Sequence, residues 1–175
     1  AHPDIDIRVS AHDALTDLPN RALFLDRLKQ AMARARWHQR LVAVLFVDMD
    51  RFKTINDTLG HEAGDRLLQQ LAERFSRNMH EGDTVARFGG DEFVILLDDV
   101  SSENDVGGVA QKVQQALAAP FEIDGQKLYI TASIGVSLFP NDGEDSTTLL
   151  KNADIAMYRA KEAGKNTCQF YSADM

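Results

Sequence analysis

Apolar residues along this chain fall into two alternating rhythms, one of helical and one of strand period. In "LPNRALFLDRLKQAMARARWHQ" a Pro and an Asn precede Leu23, Phe24, Leu28, Ala31, Met32 and Ala35, which share one face of an amphipathic helix. "LVAVLFVD" is instead a continuous apolar run, the pattern of a strand covered on both faces, and it ends abruptly in Asp48, Met49 and Asp50. After a short "RFKTIND" segment, a second long helix is predicted to begin near Gly64 and Asp65 and to carry Leu67, Leu68, Leu71, Phe75 and Met79. "TVARF" and "EFVILL" then read as short strands joined through Gly89 and Gly90 in a tight hairpin.

Val106, Val109, Val113, Ala116 and Leu117 form a further helical stripe, stopped by Pro120, and "FEIDGQKLYI" reads as a hairpin around Asp124 and Gly125. In "LYITASIGVSLF", Ile130, Ala132, Ile134, Val136 and Leu138 alternate with smaller or polar residues, which predicts a half-buried strand ended by Pro140. Leu149, Leu150, Ala153, Met157 and Ala160 define a last helix, with Gly164 suited to a left-handed C-terminal cap, and "TCQFY" predicts a short closing strand. This interleaving implies an α/β (α+β) layer fold: a mixed, largely antiparallel central sheet flanked by helices. The opening stretch "AHPDIDIRVSAHD" has no clear period, so residues 1–12 are expected to form an arm or linker of a longer protein, ahead of one domain over 13–175.

Composition narrows the function classes. The 175 residues are 44% hydrophobic and 26% charged, enough for one packed core and against a disordered or fibrous chain. The longest apolar run, Leu41 to Val47, is far shorter than the roughly 20 residues of a membrane span, so no membrane contact by this domain is expected. Cys168 is the sole cysteine, which agrees with a reducing, cytoplasmic setting. A formal net charge of -8 disfavours nucleic acid as a partner and lets a small anionic substrate bind only with a cation between them.

Read alone, "GGDE" is a solvent-exposed turn. The second acidic cluster, "VDMD", changes that, because its strand can lie beside the hairpin in a central sheet. Asp48 and Asp91 would then repel at close range unless a divalent cation joined them. Hard carboxylate oxygens suit Mg²⁺ or Mn²⁺, which leave positions for water and phosphate oxygens, so a nucleoside triphosphate is the natural co-ligand. Without Cβ atoms, Gly89 and Gly90 let a nucleotide approach the backbone.

"RFGGDEF" resembles the signature of GGDEF domains, the diguanylate cyclases of bacterial signalling. "DALTDLPNR", "FVDMDRFKTINDTLGHEAGD", "TASIGVS" and "ADIAMYRAKEAGKN" resemble the family's other motifs, in family order, from about Asp13 to Tyr171. The resemblance implies a fold similar to the palm of nucleotide cyclases and polymerases. It also implies a reaction that joins two GTP into cyclic di-GMP with release of two pyrophosphates, across a homodimer that can be transient.

By the same resemblance, Asp48, Asp91 and the main-chain carbonyl of Met49 ligate metal, and Glu92 is a general base or a second-metal ligand. Asn56 and Asp65 match the guanine-reading pair and Lys161 and Lys165 the phosphate contacts; Lys53, with main-chain amides after Asp50, is a candidate for the β and γ phosphates, and His61 lies near the substrate. Local chemistry offers simpler roles: Asn56-Asp57 as a turn, Asp65 as a helix cap, and the lysines opposing a helix dipole. Lys165 stands where the family often has arginine, which removes a two-pronged phosphate grip. The family's product-inhibition motif, Arg-x-x-Asp, is replaced by His80, Glu81, Gly82 and Asp83, so weak or absent feedback is expected. The tail "FYSADM" resembles a junction to a phosphodiesterase domain, and sensory domains adjoin such chains in this family. The alternative expectation is a GTP-binding regulatory module that controls the adjoining domain.

Overall fold

The structure, a computed structural model, describes residues 11–175; the expected arm over 1–12 lies almost wholly outside the described residues. In chain order the elements are α1 (Arg21–His38), β1 (Leu41–Met49), α2 (Phe52–Leu59), α3 (His61–Arg77), β2 (Thr84–Gly89) and β3 (Glu92–Val100). Then follow α4 (Glu103–Ala116), β4 (Phe121–Ile123), β5 (Gln126–Leu128), β6 (Ala132–Phe139), α5 (Ser146–Glu162) and β7 (Cys168–Phe170). The main sheet has the order β2-β3-β1-β6-β7 and is antiparallel except for the β6–β7 pair; β4 and β5 form a separate ribbon. This is the mixed α+β, mostly antiparallel architecture that the alternation of periods implied.

The apolar run of β1 works because successive side chains face opposite sides of a sheet that is covered twice. Ala43, Leu45, Val47 and Met49 join one core with Leu67, Leu71 and Phe75 of α3 and Val106 of α4. Val42, Val44 and Phe46 join the other, with Phe24 and Leu28 of α1 and Leu149 and Met157 of α5. Helix α1 begins as its sequence suggested: the Asn20 side chain accepts a hydrogen bond from the Leu23 amide at 3.1 Å.

Three expectations are corrected. β6 is buried along its whole length rather than half-buried. The polar alternates are satisfied inside: the Ser137 hydroxyl donates to the Leu149 carbonyl at 2.7 Å, and Ser133 is turned toward the site. α5 lies so close that a Cβ on Gly135 would stand 2.1 Å from both the Ala153 oxygen and the Met157 nitrogen. Helix α3 starts at His61, ahead of Gly64 and Asp65, after Gly60 turns the chain at φ 92°. The "RFKTIND" stretch, read as a connection, is the start of α2, whose Phe52, Ile55 and Leu59 pack on the first core at helical spacing.

Candidate active site

Sheet register brings the acidic segments together. β1 and β3 are paired so that Asp48 lies opposite Glu92, which puts the β2–β3 turn over the C-terminal end of β1. Gly89 pairs with Glu92, leaving Gly90 and Asp91 as a two-residue turn, and Gly90 adopts φ 49°, a left-handed conformation that glycine enters without strain.

Arg87 fixes the tip of that turn. Its Nε donates to the Gly90 carbonyl at 2.9 Å, and its Nη1 donates to both carboxylate oxygens of Asp13 at 2.9 and 3.1 Å. Asp13 also accepts from the amide and hydroxyl of Thr16. The "DALT" segment and the signature hairpin are thus one hydrogen-bonded unit, and its ion pair is largely buried, with side chains 14% and 17% exposed.

The Asp48 and Asp91 carboxyls lie within hydrogen-bonding reach of each other. Burial, and then the neighbouring Asp91, push the Asp48 carboxyl up to about 7, against the opposing pull of Lys161. The Lys161 ammonium stands 3.5 Å from Asp48 Oδ2 and 3.6 Å from Asp50 Oδ1. Asp48 Oδ1 is buried with no hydrogen-bond partner. An orphaned carboxylate oxygen beside a second carboxylate is a costly arrangement that a hard divalent cation would relieve, so these residues fit Mg²⁺ or Mn²⁺. Among the described residues no group of three or more His, Cys, Asp or Glu is placed to hold a metal. An ion here would therefore draw its remaining oxygens from main chain, water or phosphate. Met49 has its side chain in the core and offers the site only its main chain.

Glu92 is exposed, on the register position facing Asp48. Partial burial raises its carboxyl, as do Asp154 and Asp91, while Arg21 opposes them. Asp50 behaves differently although it is almost fully buried. Burial alone would raise it, but hydrogen bonds from Thr131, Ser133 and the Asn166 amide, with the charge of Lys161, bring it below the ordinary carboxylate value.

The second group of expected residues sits where α2 meets α3. Asn56 lies directly against Gly64: a Cβ there would fall 1.8 Å from Asn56 Oδ1. That oxygen is buried and has no partner, and Asp65 follows one residue later, exposed. Any side chain at 64 would push the Asn56 amide out of this position, so glycine there keeps Asn56 in place, a constraint invisible in the sequence. Lys53 and His61 are exposed, and Lys165 is partly exposed at φ 67° just beyond α5. Among the described residues no hydrogen bond or ion pair joins these three to the acidic pair. Asp83 accepts from the amide of His80 in its own turn and from that of Asp98 in β3, both at 3.2 Å.

Sequence reasoning gave Asp13, Arg87 and Asp50 no roles of their own. Arg87 had a signal in its place within "RFGGDEF", Asp50 in ending "VDMD" and Asp13 in opening "DALTDLPNR"; that Asp13 pairs with Arg87 needed the fold.

The chain belongs to the GGDEF family: the family described as "Diguanylate cyclase, GGDEF domain" matches residues 10–167. It is 44% identical over 169 residues to MucR of Pseudomonas aeruginosa, a "bifunctional diguanylate cyclase/cyclic di-GMP phosphodiesterase", covering 97% of this chain and 24% of MucR. It is 41% identical to "cyclic di-GMP phosphodiesterase NbdA" of the same organism, covering 96% of this chain and 21% of NbdA. The chain thus spans about a quarter or less of the length of these curated relatives. The crystal structure of the GGDEF domain of TpbB (YfiN) from P. aeruginosa superposes with a TM-score of 0.88 at 41% identity, over 90% of this chain and 98% of that one.

Proposed function

We propose that this chain is a diguanylate cyclase that condenses two GTP into cyclic di-GMP and two pyrophosphates. The observation that carries this reading is the convergence of Asp48 and Asp91 with the buried, unpartnered Asp48 oxygen between strands β1 and β3. Asp48, Asp91 and the Met49 carbonyl would hold Mg²⁺ or Mn²⁺, and such an ion, when bound, supplies charge neutralisation to the triphosphate.

Asp65 accepts the N1 and N2 protons of guanine, and Asn56, whose oxygen lacks a partner in the free protein, completes base recognition. Adenine has no matching donor pair, so it would leave that carboxylate unpaired. Lys161, Lys165 and Lys53 balance phosphate charge, His61 borders the substrate, and Gly89 and Gly90 leave the turn open to the nucleotide. The 3′-hydroxyl of one GTP loses its proton as its oxygen forms a bond to the α-phosphorus of the other. The bond from that phosphorus to the α–β bridging oxygen breaks, and pyrophosphate leaves. Glu92 takes the proton or serves as a second-metal ligand. Two equivalent linkages require two domains face to face, and a two-fold homodimer is the simplest such arrangement.

The names of the relatives support a second reading, a GTP-binding regulatory module beside a phosphodiesterase domain, since NbdA is named for the phosphodiesterase activity alone. Incubation with GTP and Mg²⁺ or Mn²⁺, read by mass spectrometry, separates the two. Cyclic di-GMP and pyrophosphate are expected. GTP binding without product at high protein concentration would select the regulatory role.

A further inference from the structure

Asp50 accepts three hydrogen bonds and faces one ammonium. It is buried, with a side chain only 1% exposed. Its Oδ1 accepts from the Ser133 hydroxyl at 2.7 Å and faces the Lys161 ammonium at 3.6 Å. Its Oδ2 accepts from the Thr131 hydroxyl at 2.7 Å and from the Asn166 amide at 3.0 Å. Two of these partners, the ammonium and the amide, can only donate, and they lie on different oxygens. An amide in place of the carboxylate would therefore set donor against donor at one oxygen or the other, whichever way it was turned.

The positions of those two partners give Asp50 a purpose beyond packing. Lys161 stands between Asp48 and Asp50, and the Asn166 amide belongs to the turn after α5, in which Lys165 and Asn166 both have left-handed backbones at φ 67° and 47°. Consecutive left-handed residues other than glycine persist only where the surroundings fix them. One carboxylate thus ties down the ammonium of Lys161 and the turn that carries Lys165.

We propose that Asp50 is a positioning residue for the triphosphate, holding Lys161 and the Lys165–Asn166 turn at the edge of the site; this rests on the cyclase reading. When a cation takes up the charge of Asp48, Lys161 stays anchored by Asp50 with its ammonium directed to phosphate. Asp50 itself touches no substrate and acts through Lys161.

The test is a double-mutant cycle on the full chain, with affinity for 3′-deoxy-GTP in Mg²⁺ as readout, because this analogue lacks the attacking hydroxyl and cannot turn over. Asp50→Asn and Lys161→Met are each expected to weaken binding by about tenfold, and the double variant by about twentyfold, since both disturb one element. Losses that multiply to about a hundredfold, or an Asp50→Asn chain that binds like the wild type, overturn the proposal. If Asp50→Asn fails to fold, Thr131→Val removes one tether without touching a charge. It should weaken binding by about threefold in the wild-type background and have no effect in Lys161→Met; equal effects in both overturn the proposal. A wild-type chain that binds no 3′-deoxy-GTP removes the cyclase reading and this inference together, whereas binding with independent losses removes the inference alone.

Discussion

Replacing Asp91 by Asn should make the metal-free protein more stable while removing its response to divalent cations. Burial and Asp91 together raise the Asp48 carboxyl from 3.8 to about 7, which corresponds to about 4 kcal/mol of extra cost for its charged form. Burial is the largest single cause and survives the substitution, so the share removed with Asp91 is about 1–2 kcal/mol. The sign follows from a folded-state value above the unfolded one. The favourable contribution of protonated Asp48 is complete below pH 3.8 and is lost as pH rises through about 7. The variant should therefore match the wild type near pH 4 and exceed it at pH 8 by about 2–8 °C in Tm, measured by calorimetry in chelator. Added Mg²⁺ should raise the wild-type Tm at pH 8 and leave the variant unmoved. Equal melting at pH 8 in chelator, or an undiminished Mg²⁺ response in the variant, would mean that the carboxyls do not share one electrostatic site.

Gly135→Ala should cost more than about 3 kcal/mol or prevent folding, because its Cβ would meet α5 backbone at 2.1 Å, which cannot retreat like a side chain; denaturant unfolding reads this. Arg87→Met strands Asp13 in a largely buried position and should cost about 2–4 kcal/mol, with a loss of activity larger than the loss of folded protein. Asn56→Ala deletes an oxygen that has no partner in the free chain, so it should leave Tm unchanged or higher while weakening GTP binding about 10–100-fold, seen by calorimetric titration. Product inhibition should be weak with His80 in place of arginine, and a low-micromolar inhibition constant abolished by His80→Ala would contradict that.

Much of this was legible in the chain, for identifiable reasons. Strand β1 announced its burial on both faces by an unbroken apolar run, and the hairpin by its glycines, because those signals are local. β6 was misjudged because Ser133 and Ser137 look like solvent-facing alternates. Only the fold supplies their buried acceptors, Asp50 and the Leu149 carbonyl. The paired acids could be nominated from two motifs, but the Asp13–Arg87 pair joins positions 74 residues apart, and the fit of Asn56 over Gly64 depends on how two helices meet. Both are products of packing, which periodicity does not encode.

The cyclase reading requires Asp48 and Asp91 to share a divalent cation with the triphosphate. Electron paramagnetic resonance of bound Mn²⁺, with and without GTP, tests it most directly in the wild type and in Asp48→Asn. GTP should tighten Mn²⁺ binding in the wild type, and this coupling should disappear in the variant. Equal Mn²⁺ affinity and equal GTP coupling in the two chains would contradict it.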